Sequence, residues 1–260
     1  MTLAGSSSED RRLTFIVPVY SEASHLAQWC EGFFAFDFGV PTEVIFVDDA
    51  STDDSYRILE GYADRENVRL LRHQQNAGKG SALRTGIAEA TGEFVIIQDA
   101  DFEYKLADVP RVIAPLYAGE ADVVYGSRFK NPTNVHRTAH YAVNRFLTLF
   151  SNVMSGLYVT DMETCYKAFR REIIQGIDIQ SPRFGFEPEI TAKIASLKLR
   201  VQEVPISYYP RTYLEGKKIR WTDGVSALWQ IVRFNVNRKQ LQESTERVPE
   251  KYRTDGIQWL

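Results

Sequence analysis

The sequence predicts an α/β fold with a mostly parallel central sheet flanked by helices, and three observations carry that expectation. Short apolar runs of strand length alternate with helical patterns of about ten to fifteen residues through the first half of the chain. Carboxylates and other polar residues gather just after those runs, where a parallel sheet presents its carboxyl ends to ligands. Composition agrees: 44% hydrophobic and 25% charged residues over 260 positions suit a globular chain with an ample core, not a disordered or fibrous one.

Taken in order, Leu13–Val19 is the first strand, closing on Pro18-Val19-Tyr20. Ser24–Phe36 reads as a helix with Ser24 at its cap. Glu43–Val47 is a second strand ending at Asp48 and Asp49, and Ser51-Thr52-Asp53-Asp54 supplies caps for a helix through Ala63. Val68–Arg72 is a third strand, Gly80–Ala90 a helix, Glu93–Gln98 a fourth strand, Val109–Ala118 a helix and Asp122–Tyr125 a fifth strand.

The pattern then changes. Val143, Phe146, Leu147, Phe150, Val153, Met154 and Leu157 follow 3-and-4 spacing, opposite Asn144, Arg145, Thr148, Ser151, Asn152 and Ser155, which defines an amphipathic helix. Its apolar stripe suits packing on the sheet or lying in a membrane interface. Pro188–Leu197 is a helix, Leu199–Ile206 a strand, and Asp223–Val236 a helix with Val225, Leu228, Trp229 and Val232 on one side. The expected organisation is a flexible N-terminus over residues 1–11 and one domain over 12–236. That domain divides into two halves, 12–130 and 131–236. A polar, loosely ordered tail completes the chain from 237 to 260.

Lys and Arg total 31 against 34 Asp and Glu, a net charge of −3, which argues against a nucleic-acid-coating protein. Two cysteines, Cys30 and Cys165, cannot build a disulfide framework or zinc cage and fit a reducing, cytoplasmic setting. Cys30 reads as a small core residue. The N-terminus lacks the apolar core of a signal peptide. The charge-free stretch Phe146–Thr160 is shorter than the ~20 residues that span a bilayer, so the chain reads as soluble or peripheral to a membrane.

The strongest local signal is Asp99-Ala100-Asp101 directly after Phe94-Val95-Ile96-Ile97. In an extended segment residues i and i+2 share a face, so the two carboxylates repel unless a cation lies beside them. Mg²⁺ or Mn²⁺ bridging to a diphosphate answers that need, the alternative being a solvated turn. Asp48-Asp49 also follows an apolar strand, which brings four carboxylates to one rim. Gly78-Lys79-Gly80 lacks the Ser or Thr of a P-loop, and no G-x-G-x-x-G follows the first strand. The loop from Asn76 to Gly80 suits either a phosphate or base contact or a glycine turn opening a helix.

Together, Ile16-Val17-Pro18-Val19-Tyr20-Ser21-Glu22, Val47-Asp48-Asp49-Ala50-Ser51-Thr52-Asp53, Asn76-Ala77-Gly78-Lys79-Gly80 and Gln98-Asp99-Ala100-Asp101 resemble the family 2 glycosyltransferases of GT-A fold, a single Rossmann-like domain. Gly126-Ser127-Arg128 and Glu203-Val204-Pro205-Ile206 make the chain most similar to the dolichyl- or polyprenyl-phosphate hexosyltransferases. The resemblance spans roughly residues 12–235. It implies that Pro18, Tyr20, Glu22 and Asp49 line the base and ribose pocket near Lys79. It further implies that Asp99, Ala100 and Asp101 meet the donor diphosphate, with Asp99 and Asp101 on the metal. Arg128 is implied near donor or acceptor phosphates, and Arg211, Lys217, Lys218 and Arg220 in a segment that closes over the donor. The implied reaction is inverting displacement of a nucleoside diphosphate, with Lewis-acid help from the metal.

Asp161-Met162-Glu163-Thr164-Cys165-Tyr166-Lys167 stands where relatives carry an acid and a Gly-aromatic-basic run, with Cys165 in the glycine position and Lys167 as a phosphate ligand. Phe184-Gly185-Phe186-Glu187-Pro188-Glu189 resembles a further family block. Three functions compete. Transfer of a hexose to a polyprenyl phosphate needs no general base. Transfer to a sugar or lipid hydroxyl needs one, and Asp161 or Glu187 is the candidate. An inactive nucleotide-sugar-binding or membrane-partner module is the third. None of His25, His73, His136 and His140 has metal-ligand spacing.

Overall fold

The computed structural model describes residues 11–132, 139–183, 185–210 and 221–253. Its centre is a seven-stranded sheet in the order β3-β2-β1-β4-β6-β5-β7. The strands are β1 (Leu13–Val19), β2 (Thr42–Asp48), β3 (Val68–Arg72), β4 (Phe94–Ile97), β5 (Val123–Ser127), β6 (Lys167–Arg170) and β7 (Val201–Pro205). All neighbouring pairs are parallel except those of β6, which runs antiparallel to both β4 and β5. Strands covered on both faces read as unbroken apolar runs. Accordingly Phe15, Ile16 and Val17 of β1 and Val44 to Val47 of β2 are fully buried. Pro18, which cannot donate to a ladder, sits beyond the last β1–β4 pair at Ile16–Ile97.

Helices α1 (Ala23–Ala35), α2 (Ser55–Glu60), α3 (Lys79–Glu89) and α4 (Val109–Tyr117) connect the first strands. Residue α1 Cys30 is wholly buried beside Trp29 and Phe33, and burial pushes its thiol up to about 12, as expected of an inert core residue. Ser24 does not cap α1. The helix starts at Ala23, and Asp53 from the β2 loop accepts from the Ala23 amide instead, at 3.0 Å. The later helices are α5 (Ala139–Ser155), α6 (Arg171–Gly176), α7 (Phe186–Leu197), α8 (Trp221–Val236) and α9 (Arg238–Glu243).

Three features differ from the sequence expectations. Strand β6 escapes pattern reading because its four residues, Lys-Ala-Phe-Arg, carry a cation at each end. Helix α5 divides its apolar stripe between core and surface: Leu147 is buried, and Phe150 and Met154 pack against the core. Thr148, Ser151 and Asn152 are buried, while Val143, Phe146 and Val153 of the apolar stripe are exposed, as is Leu149 beside them. The reason is specific: Thr148 Oγ1 accepts from the Met162 amide at 3.1 Å, and Asn152 bonds both backbone groups of Val159. In α8 the buried side is Ala227, Ile231 and Phe234, whereas Val225 and Trp229 face out.

Nor is the segment after Asn237 loosely held, as far as residue 253. It forms α9, then buries Val248 completely against Gly176, where any Cβ would lie 2.6 Å from the Val248 Cα.

Candidate active site

The carboxyl ends of β1, β2 and β4 lie side by side, and the loops leaving them are stitched together. The Asp49 amide donates to the Val19 carbonyl at 2.8 Å, and the Ser21 amide to Ser51 Oγ at 2.9 Å. Ser21 (φ 52°) and Ala50 (φ 57°) both occupy the left-handed region that non-glycine residues avoid, strain of the kind that concentrates at functional loops. Tyr20 is exposed at 38%, and Glu22 reaches His25 at 3.1 Å. The same His25 nitrogen lies 3.1 Å from the Ala100 carbonyl and so ties the β1 loop to the turn after β4.

Asp49 works as a clamp. Its Oδ1 accepts from the Ala77 amide (2.8 Å) and lies 2.7 Å from His73 Nδ1, while its Oδ2 accepts from the Gly78 amide (2.7 Å) and Asn76 Nδ2 (3.0 Å). The loop from Asn76 to Gly80 is thereby fixed at the start of α3. Gly78 (φ +94°) and Gly80 are required there. A Cβ on Gly80 would lie 2.0 Å from the Ser181 carbonyl oxygen, a backbone atom. Ser181 is itself anchored because its amide and that of Gln180 donate to the buried Glu189 carboxylate, which also pairs with Lys193.

Lys79 opens α3 with its ammonium 2.9 Å from Asp99, 3.6 Å from Glu187 and 3.7 Å from the Cys165 sulfur. Burial alone would depress that ammonium; Asp99, with Cys165 and Glu187 near it, holds it well above the usual lysine range instead. Asp101 is 5% exposed and accepts from the Glu103 amide at 3.0 Å. Among the described residues no three His, Cys, Asp or Glu side chains form a metal cage. Mg²⁺ and Mn²⁺ need none, since one or two carboxylates with substrate phosphates suffice. The hard oxygen donors of Asp99 and Asp101 fit such an ion.

Arg128, at the end of β5, is 6% exposed and makes a two-pronged pair with the fully buried Asp161, Nε–Oδ2 and Nη2–Oδ1 both 2.7 Å. Its backbone amide also donates to Asp161 Oδ2. Asp161 is thus a counter-ion enclosed by Arg128, an arrangement that opposes service as an open base. Glu203 of β7 orders the same loop by accepting from the amides of Thr160 and Asp161. The expectation that Lys167 holds a phosphate fails: the residue is wholly buried, its ammonium donating to the carbonyls of Met162 and Thr164. Arg211, Lys217, Lys218, Arg220, His136 and Phe184 lie outside the described residues.

Sequence reasoning assigned no role to His73, His25 or Glu163. The first two are found only through partners distant in sequence. Glu163 has a buried oxygen, Oε1, with no hydrogen-bond partner among the described residues, and its carboxyl is pushed up to about 8, chiefly by burial and then by Glu187. The unfolded chain therefore ionises Glu163 near pH 4.5 and the folded chain only near 8, so its contribution to stability is lost as pH rises through that window. Glu163→Gln should accordingly gain on wild type between pH 5 and 8 in denaturant titrations. A constant difference across that range would show that Glu163 ionises normally.

A model of glycosyl transferase family 2 matches residues 14–177. The chain belongs to that family. Within family 2 it is 27% identical over 239 residues to the low-salt glycan biosynthesis hexosyltransferase Agl6 of Haloferax volcanii, covering 90% of this chain and 55% of that protein. It is 27% identical over 244 residues to the dolichyl-phosphate beta-glucosyltransferase ALG5D of Trichomonas vaginalis, covering 86% and 73%. It is 28% identical over 212 residues to the undecaprenyl-phosphate 4-deoxy-4-formamido-L-arabinose transferase of Klebsiella pneumoniae, covering 80% and 62%. The chain thus spans little more than half the length of the first of these relatives. A solved structure of glucosyl-3-phosphoglycerate synthase from Mycobacterium tuberculosis, in complex with Mn²⁺, UDP and glucosyl-3-phosphoglycerate, superposes with a TM-score of 0.66. It is 18% identical and covers 91% of this chain and 86% of that one, a likeness of fold. The GT-A architecture expected of family 2 is the one observed.

Proposed function

We propose that the protein transfers a hexose from a nucleoside-diphosphate sugar to a polyprenyl phosphate, with inversion at the anomeric carbon and with Mg²⁺ or Mn²⁺ as cofactor. One observation carries the reading: Lys79, on the loop that Asp49 fixes, lies between Asp99, just past β4, and Glu187 of α7. Such a rim of fixed cations and carboxylates suits a diphosphate bound with a metal. Two relatives, a dolichyl-phosphate and an undecaprenyl-phosphate transferase, support the acceptor class.

Asp49 positions the loop that meets the nucleotide, with Pro18, Tyr20 and Glu22 completing the base and ribose side. Asp99 and Asp101 hold the ion, which when bound neutralises charge growing on the leaving phosphate. Lys79 supplies a fixed positive charge to the same oxygens, and Ala100 lets the backbone approach them. We assign Arg128, Arg211 and Lys217 to the phosphates of donor and acceptor on the sequence resemblance. A phosphate acceptor is already ionised, so the enclosure of Asp161 by Arg128 costs this reaction nothing. Glu187, 3.6 Å from Lys79, then acts in positioning that ammonium.

Among the described residues no helix is long and apolar enough to cross a membrane. Because a polyprenyl tail remains in the bilayer, the enzyme works as a peripheral protein on the cytoplasmic membrane face. The test is incubation with UDP-, GDP- and dTDP-sugars plus polyprenyl phosphate, following release of the nucleoside diphosphate. One donor should give turnover dependent on the lipid phosphate. Turnover only with sugar or lipid hydroxyls would move the reaction to the base-requiring class, and donor binding without turnover would leave a binding module.

A further inference from the structure

The loop from Asp161 to Cys165 runs between two cations assigned to phosphates. Its first residue, Asp161, holds Arg128 at 2.7 Å, and the sulfur of its last, Cys165, lies 3.7 Å from the Lys79 ammonium. The backbone in between is fixed from several sides. The Met162 amide donates to Thr148 Oγ1 at 3.1 Å, and the Cys165 amide to the Tyr104 hydroxyl at 3.2 Å. The carbonyls of Met162 and Thr164, on either side of Glu163, both accept from the Lys167 ammonium. Lys167 and Tyr104 are themselves buried, so these anchors belong to the core.

Glu163, in the middle of this loop, has a side chain that the fold does not use. The residue is part-exposed, yet its Oε1 is buried and has no hydrogen-bond partner among the described residues. A buried carboxyl oxygen without a partner is unfavourable in a folded chain, and its persistence on so rigid a loop points to a ligand that completes it. The chemistry of that ligand follows from the surroundings. Burial first, then Glu187 and to a smaller degree Asp161, raise the carboxyl to about 8 against the opposing pull of Lys167 and Arg128. At neutral pH the group therefore keeps its proton, and can both donate and accept a hydrogen bond. A divalent ion would call for an ionised carboxylate instead. A sugar hydroxyl, itself donor and acceptor, is the matching partner, and a neutral acid sets no charge against neighbouring phosphates.

We propose that Glu163 is a specificity-determining residue of the donor site, its carboxyl hydrogen-bonding a hydroxyl of the hexose in transfer. The placement supplies the reason: a hexose passing from a diphosphate at Lys79 to a phosphate at Arg128 crosses the segment that joins those two cations. This role deepens the proposed function and rests on it for the class of donor.

The test is calorimetry on the full chain with Mn²⁺ and no acceptor. The ligands are the tightest binder among UDP-, GDP- and dTDP-glucose and -mannose, its bare nucleoside diphosphate, and its 2-, 3-, 4- and 6-deoxy forms. In wild type one deoxy position should weaken binding about tenfold or more, because the missing hydroxyl leaves a buried group unpaired. Glu163→Leu should bind the full hexose donor about tenfold more weakly and be indifferent to that position. Its affinity for the bare diphosphate and its melting temperature should stay close to wild type. Glu163→Gln, an amide of the same shape with a donor and an acceptor, should keep the penalty at that position.

A penalty that is unchanged in Glu163→Leu, missing from wild type at every position, or lost in Glu163→Gln overturns the proposal. So does early melting of Glu163→Leu together with loss of diphosphate affinity, which would make the residue structural. Wild type that binds no nucleotide sugar at all would sink the donor reading itself, whereas binding to which Glu163 contributes nothing removes this role alone.

Discussion

Asp101→Asn should lower turnover by about a hundredfold or more while leaving the fold intact. Asp101 lies just past β4, where the strand's apolar side chains give way to the rim, and it is 5% exposed. Asparagine keeps the shape and the Oδ1 that accepts from the Glu103 amide, so the local turn survives. What is lost is one negative charge toward a divalent ion. The loss should be specific to turnover, with melting temperature and nucleotide affinity in chelator close to wild type. In wild type, EDTA should abolish the reaction and added Mn²⁺ or Mg²⁺ restore it. Full turnover in chelator would remove the metal from the mechanism, and a variant that melts early would make Asp101 a structural residue.

Asp161→Ala should be the most destabilising single change in the site, costing about 3–5 kcal/mol, because it leaves the Arg128 guanidinium buried without its counter-ion. The pair joins the end of β5 to the loop after α5, and Glu203 fastens that loop from β7, so its release loosens three elements together. The double variant Arg128→Met, Asp161→Leu should recover much of the stability, since neither charge then remains in the interior. Urea titration of the three variants decides the matter. Wild-type stability in Asp161→Ala, combined with turnover lost only at neutral and low pH, would instead identify Asp161 as a base.

The parallel half of the fold was legible because its strands are buried on both sides, and an unbroken apolar run is the direct record of that burial. Strands β1, β2, β3 and β4 lie where the runs at Leu13, Val44, Val68 and Phe94 place them. The carboxylates at Asp48, Asp49, Asp99 and Asp101 fall on one edge, since parallel strands share one carboxyl end. Less legible was anything fixed by a partner far along the chain. Lys167 and Lys193 look like surface cations and are fully buried, one on backbone carbonyls and the other on Glu189.

By itself, then, the sequence determined the alternation of strands and helices, the rim of acids and the loop from Asn76 to Gly80. Each of these is written in local spacing: period, strand length, or a glycine that no other residue can replace. Tertiary structure alone decided that β6 enters antiparallel between β4 and β5, that Asp161 closes on Arg128, and that α5 splits its apolar stripe between core and surface. Periodicity says that a helix has two faces, but not which one the protein keeps. In α5 that choice was made by hydrogen bonds to the backbone of Val159 and Met162, which only a polar face can form. Val143, Phe146 and Val153 were thereby left outward, while Leu147 kept its place in the core.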